Sequence, residues 1–177
     1  MSGENTDILT AIEKEQALYK EIKEKCTLRL DTSSLSASLC KSRTVEMFSE
    51  NSDKSMHIHC MSFGFRHGIP EDADFVFDLR FLPNPYYIPE LKELTGLEEN
   101  VSKYVMQFDT AKSYLGHILS TLDFVIPECV KEGRSQLVIA VGCTGGHHRS
   151  VTFAQLIHKH FKEKGLNVSV SHRDILK

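Results

Sequence analysis

No apolar run in this sequence approaches the ~20 residues a helix needs to cross a membrane, so no helical span and no membrane partner are expected. The Gly-x-x-x-x-Gly-Lys-[Ser/Thr] fingerprint is missing, which removes the usual means of ATP or GTP hydrolysis. Five cysteines stand far apart at 26, 40, 60, 129 and 143, an odd number with no Cys-x-x-Cys. That fits a reducing cytoplasm better than a disulfide framework. The first residues are polar and acidic, so no secretory signal is expected. A formal charge of -3 supplies no general drive toward nucleic acid, and any such binding requires a local basic patch. There is no internal repeat and no long low-complexity segment. What is present is a chain of 177 residues, 41% hydrophobic and 25% charged, the profile of a globular domain of ordinary size.

The most informative stretch is Gly142-Cys143-Thr144-Gly145-Gly146-His147-His148-Arg149-Ser150. It follows Leu137–Val141, a short continuous apolar run that reads as a strand buried on both faces. After it, Val151, Ala154, Ile157 and Phe161 recur at helical spacing. The motif is therefore a strand-to-helix turn that presents backbone N–H groups and the positive end of a helix dipole. Gly145 and Gly146 allow positive φ, and Arg149 adds a planar guanidinium suited to phosphate. An anion-binding loop is expected.

Taken in order, Asp7 to Lys25 reads as an amphipathic helix on Ile8, Ile12, Leu18, Tyr19 and Ile22, with Lys20 to Lys25 on a solvated face. Leu28-Arg29-Leu30 reads as a short strand. Thr32-Ser33-Ser34 then caps a helix carrying Leu35, Leu39 and Met47, and residues 49 to 55 form a polar loop. Strands are expected over Met56–Phe63 and Asp74–Leu79 and at Val168–Val170, and helices over Leu97–Phe108 and from Asp109, with Pro127 ending or kinking the latter. Gly165 reads as a helix C-cap. Three prolines stiffen Arg80–Pro89. The alternation predicts a layered α/β fold, its sheet mostly parallel or mixed, with helices on both faces. In such sheets ligands bind beyond the carboxyl ends of the strands. That places Arg66, His67, Arg80, His147, His148, Arg149, His172 and Arg173 around one pocket, a basic site on an acidic chain.

Three of these segments, in order, closely resemble the C-terminal domain of the RapZ/YvcJ family of bacterial nucleotide-binding proteins. They are Ser62–Pro70, Val76–Pro85 and Gly142–Gly146 with His148-Arg149-Ser150; the closing His172-Arg173-Asp174 matches as well. The resemblance starts near Ile58. Residues 56–177 are expected to form the ligand-sensing domain. Residues 1–55 (helix, short strand, helix) resemble a remnant of the family's N-terminal domain or a linker. Full-length members carry a P-loop domain that hydrolyses ATP or GTP. The C-terminal domain implies a sensor for a small phosphorylated ligand, glucosamine-6-phosphate in the enterobacterial adapter, with RNA or a regulatory protein as partner. A homo-oligomer is compatible with this. The resemblance assigns Cys143, Thr144, Gly145, Gly146, His148, Arg149 and Ser150 to the phosphate site. Two departures stand out: Tyr86-Tyr87 replaces His-Trp after Asn84-Pro85, and the Lys/Arg-rich tail is absent, the chain ending at Lys177. His172, Arg173 and Lys177 are the residues left for an RNA or anion contact.

Competing readings use the same residues. Cys143-x5-Arg149 followed by Ser150 fits the phosphate loop of cysteine-dependent phosphatases, with a thiolate nucleophile and Asp78 as general acid. Gly142 stands where those enzymes carry His, and no catalytic residue is assigned. Arg80 and Asn84 are expected in the pocket; alternatively Arg80 pairs with Asp78 and braces the proline loop. Tyr86 and Tyr87 read first as packing residues, with Tyr86 kept among the ligand candidates. His57-x-His59 with Cys60, and His147-His148, lack a second half-site, so neither a metal nor another cofactor is expected.

Overall fold

The structure, a computed structural model, describes residues 8–33, 35, 40, 44, 47 and 56–177. The chain falls into two compact units, Met1–Leu30 and Asp31–Lys177. The first contains helix α1 (Ile8–Lys25), whose last turn carries Lys23 and Lys25, the charge that suits a helix C-terminus. Its apolar residues Ile8, Ile12, Leu18, Tyr19 and Ile22 are exposed. Leu28–Leu30, expected as a strand, has no strand partner among the described residues. Three residues without a ladder cannot satisfy their backbone as a strand. Of the next expected helix, Cys40, Thr44 and Met47 are helical. Ser34, Leu39 and residues 49–55 lie outside the described residues.

The second unit is built on four parallel strands: β1 (His57–Gly64), β2 (Phe75–Asp78), β3 (Gln136–Cys143) and β4 (Val168–His172). Their order across the sheet is β2-β3-β1-β4. Three further helices are α2 (Glu99–Met106), α3 (Asp109–Lys131) and α4 (Arg149–Glu163). The fold is α/β, as the alternation of elements predicts. β1 and β3 are central, and every residue of β3 from Leu137 to Cys143 is buried. That explains its unbroken apolar sequence.

The core gathers Ile58 and Cys60 of β1 and Leu137, Ile139 and Val141 of β3. Against them pack Val101 and Val105 of α2, Ile118, Leu122 and Ile126 of α3, and Phe153, Ala154, Ile157 and Phe161 of α4. The buried residues of α4 recur every three to four positions, the stripe visible in the sequence. Burial pushes the Cys60 thiol up to about 12, so it stays neutral and packs as a small apolar group. α3 runs through Pro127 and stops at Lys131. Pro127 is exposed, so water can take the helix carbonyl it leaves unpaired. α4 ends at Glu163 with Lys164 as its C-cap, and Gly165, expected as the cap, stands one residue beyond it with φ +75°, the left-handed turn that glycine favours after a helix. Because all four strands are parallel, their carboxyl ends (Gly64, Asp78, Cys143 and His172) open onto one edge of the sheet.

Candidate functional site

The loops at that edge interlock through glycine. A Cβ on Gly64 would lie 2.7 Å from the carbonyl of Gly145, and one on Gly146 would lie 2.9 Å from both Gly64 N and Asp174 Cβ. Gly146 takes φ +87°, whereas Gly145 does not need the left-handed region. Asp174, fully buried just beyond β4, completes the lock. Its Oδ2 accepts the Gly64 N–H at 2.8 Å and the Arg173 Nε and Nη2 hydrogens at 3.0 and 2.8 Å. Lys177 Nζ lies 2.9 Å from its Oδ1. Burial alone would raise the Asp174 pKa, but the hydrogen bonds from Arg173, Gly64 and Lys177 outweigh it and hold the carboxyl below its usual range.

Arg173 and Lys177 thus serve the loop scaffold. Arg173 Nη2 also donates to Gly68 O at 2.6 Å and His67 O at 3.3 Å. His172 is partly buried, with Nδ1 2.8 Å from Ser62 Oγ and Nε2 2.9 Å from Gln155 Nε2. The amide of Gln155 donates to Nε2, which leaves the imidazole proton on Nδ1 facing the serine. Burial lowers the His172 pKa and favours this neutral ring.

The β3–α4 loop closes around sulfur. Gly146 N–H donates to Cys143 Sγ at 3.3 Å, and Ser150 Oγ lies 3.2 Å from the same atom. The thiol is buried beneath the loop. Thr144 is exposed, Gly145 and His147 are half-buried, and His148, Arg149 and Ser150 are buried. His148 precedes α4 and points away from the loop: its Nε2 lies 3.2 Å from the carbonyls of both Leu91 and Lys92. Two acceptors require the proton on Nε2. Burial lowers the His148 pKa despite those carbonyls. The segment before α2 is docked here as well. Gly96 N–H donates to His147 O at 2.8 Å, and a Cβ on Gly96 would collide with His148 O at 2.2 Å.

Arg149, the first residue of α4, is only 3% exposed. Its Nη1 donates to the carbonyls of Leu82 at 2.7 Å and Arg80 at 3.1 Å, and its Nη2 lies 3.4 Å from Thr144 Oγ1. Its Nε has no hydrogen-bond partner. A buried charged group with an unpartnered donor thus stands next to a glycine loop and the first-turn N–H groups of a helix, a combination whose chemistry suits an anion.

Arg80 forms the rim. It grips Asp78, with Nη2 2.6 Å from Oδ2 and Nε 3.0 and 2.9 Å from Oδ1 and Oδ2, and its guanidinium lies 3.9 Å over the Phe65 ring. The Arg80 hydrogen bond is the main reason the Asp78 carboxyl sits below its usual range, with a further contribution from the charge of Arg149. Asn84 Oδ1 accepts Tyr86 N–H at 3.4 Å and caps the short turn Pro85–Tyr87. Tyr86 and Tyr87 do not pack inward: Tyr87 is 79% exposed, and Lys92 Nζ lies 5.1 Å over the Tyr86 ring. Arg66 and His67 are exposed, and the Arg66 N–H donates to Thr144 O at 3.2 Å. Among the described residues no group of three or more His, Cys, Asp or Glu could hold a metal ion, and no helix is long and apolar enough to cross a membrane.

Sequence reasoning placed Ser62 and Asp174 within matching segments but gave them no role, and it did not single out Gln155 or Gly96, which are visible only through their partners in space.

The motifs that converge on this edge are those of known proteins. The chain is 48% identical over 169 residues to a "nucleotide-binding protein" of Bacillus cytotoxicus, and 47% identical over 169 residues to one of Bacillus mycoides. Each match covers 96% of this chain and 57% of the relative, so the chain spans little more than half the length of those proteins. Residues 56–176, which hold all four strands and all four interlocked loops, match the family described as the RapZ C-terminal domain, and the chain belongs to that family.

Proposed function

We propose that this domain binds the phosphate of a small phosphorylated metabolite at the Cys143–Ser150 loop, as a cytoplasmic sensor without turnover. The carrying observation is Arg149, buried at the start of α4 with Nε unpartnered beside the loop. An amino-sugar phosphate such as glucosamine-6-phosphate is the ligand we propose, on the resemblance to the enterobacterial adapter. Occupancy would be passed to RNA or to a regulatory protein, and no cofactor is involved. The test is calorimetric titration of the chain with glucosamine-6-phosphate, related phosphosugars, nucleotides and inorganic phosphate. Saturable phosphosugar binding that is lost in Arg149→Ala supports the reading; no binding of any phosphate ester sinks it.

A second reading, a cysteine-dependent phosphatase, draws on one observation, the Ser150 hydroxyl 3.2 Å from Cys143 Sγ, where it could donate to a thiolate. Hydrolysis of an aryl phosphate, abolished in Cys143→Ser, would establish it in place of the sensor.

A further inference from the structure

We propose that Asp78 is a built-in competitor at the anion site: it occupies the Nε/Nη2 edge of Arg80 in an internal ion pair, which an incoming phosphate must displace to take that two-pronged edge, and so sets the selectivity of the site. This rests on the phosphate-binding reading of the loop. Asp78 ends β2 and stands in register with Gly142, the residue before Cys143. Arg80 folds back over two residues, so that three of its guanidinium contacts, at 2.6, 2.9 and 3.0 Å, are spent on that one carboxylate. The Arg80 backbone N–H donates to Asp78 Oδ1 at 2.9 Å, and Phe65 supports the guanidinium from the β1 loop. Arg80 is therefore parked on a carboxylate at the mouth of the loop. Its own main-chain carbonyl is meanwhile held by Arg149.

A phosphate and the Asp78 carboxylate cannot both take the same Arg80 donors. The side chains of the pair are 50% and 43% exposed, so the pair is weak enough to be exchanged. An anion with only a few contacts gains little from breaking it. A phosphate ester that also touches the rim gains enough to displace the carboxylate. Selectivity here comes from an opposing group rather than from an added attraction.

The experiment titrates inorganic phosphate into the full chain as wild type, Asp78→Asn, Arg80→Ala, the Asp78→Asn/Arg80→Ala double variant and Arg149→Ala. Asparagine keeps an oxygen for the Arg80 N–H, so the turn is retained. Asp78→Asn is expected to bind phosphate about two- to fivefold more tightly. That gain is expected to vanish in the Arg80→Ala background, because competition requires both partners. An equal gain with and without Arg80 overturns the proposal, since the carboxylate would then act only through its general field. Unchanged or weaker binding by a natively folded Asp78→Asn also overturns it. Wild-type binding lost in Arg149→Ala but unaltered in Asp78→Asn refutes the competitor alone. Absence of binding in wild type and every variant refutes the site itself.

Discussion

The Asp174 carboxylate accepts the Gly64 backbone N–H at 2.8 Å, joining two positions that are 110 residues apart. The bond ties the end of β4 to the end of β1, directly beneath Gly146. Asp174→Ala removes the acceptor and leaves Arg173, itself mostly buried, with backbone carbonyls but no carboxylate to balance its charge. Breaking such a buried pair costs about 3 kcal/mol. Urea unfolding is expected to show that loss with an unchanged slope. A loss under ~0.5 kcal/mol, the level of an ordinary surface change, would mean that the lock holds nothing.

Two glycines at this edge, Gly64 and Gly68, should respond differently to alanine. A Cβ at Gly64 meets backbone atoms at 2.7 Å, and backbone cannot step aside as a side chain can. Gly68 has φ +81° but open space around it. With ψ 159° it sits in a region essentially confined to glycine, so Gly68→Ala is expected to cost only that conformational penalty, roughly 1–3 kcal/mol. Gly64→Ala is expected to cost more and to shift the Cys143–Ser150 loop. Melting temperatures and phosphate titrations of the two variants check this. Equal effects would mean that the close approach is not what requires glycine at 64.

Stability should fall on mild acidification. Burial lowers the pKa of both His148 and His172 from the ordinary 6.5. Above that value both folded and unfolded chains carry neutral rings, and nothing is lost. Below it the unfolded chain takes up protons that the folded chain resists, so stability declines as pH falls through about 6.5. Asp174 acts in a lower window. Its carboxyl is held below 3.8, so its contribution is present above that value and is lost as pH drops through the depressed folded value. Melting curves from pH 8 to pH 3 should show the histidine decline first, and His172→Gln should reduce it. An identical decline in that variant would remove His172 from the account.

What could be read in the sequence was what is local. The apolar run Leu137–Val141 and the glycines after it located β3 and the turn into α4, because burial and turn geometry are written in consecutive residues. The pairing of Arg80 with Asp78 was within reach as an alternative, since the two are neighbours in the chain. Other features depended on distant partners. The bonds of Arg149 to the Arg80 and Leu82 carbonyls, the bonds of His148 to Leu91 and Lys92, and the burial of Asp174 each require the sheet to bring separate loops together. Of the two outcomes expected at Pro127, an end or a kink, the helix end does not occur there: α3 extends to Lys131, with Ile126 and Cys129 buried on either side of the proline.

The last prediction separates binding from chemistry, because the loop offers both a charge clamp and a thiol. Arg149 brings a buried guanidinium with an orphan Nε. Loss of a charge-assisted contact of ~1.5–3 kcal/mol should weaken phosphosugar binding about ten- to a hundredfold in Arg149→Ala. The same change frees the carbonyls of Arg80 and Leu82, so the melting temperature should also fall. Arg149→Lys keeps the charge but cannot hold two carbonyls in a planar fork, and is expected to bind with intermediate affinity. Cys143→Ser should bind within a fewfold of wild type, because a hydroxyl can meet Gly146 N–H and Ser150 Oγ in nearly the same space. For a sensor, titration and an aryl-phosphate assay should show the affinity following position 149 and no turnover in any variant. Turnover in wild type that is lost in Cys143→Ser would make the loop a catalyst. Unchanged affinity in a folded Arg149→Ala would place the ligand elsewhere.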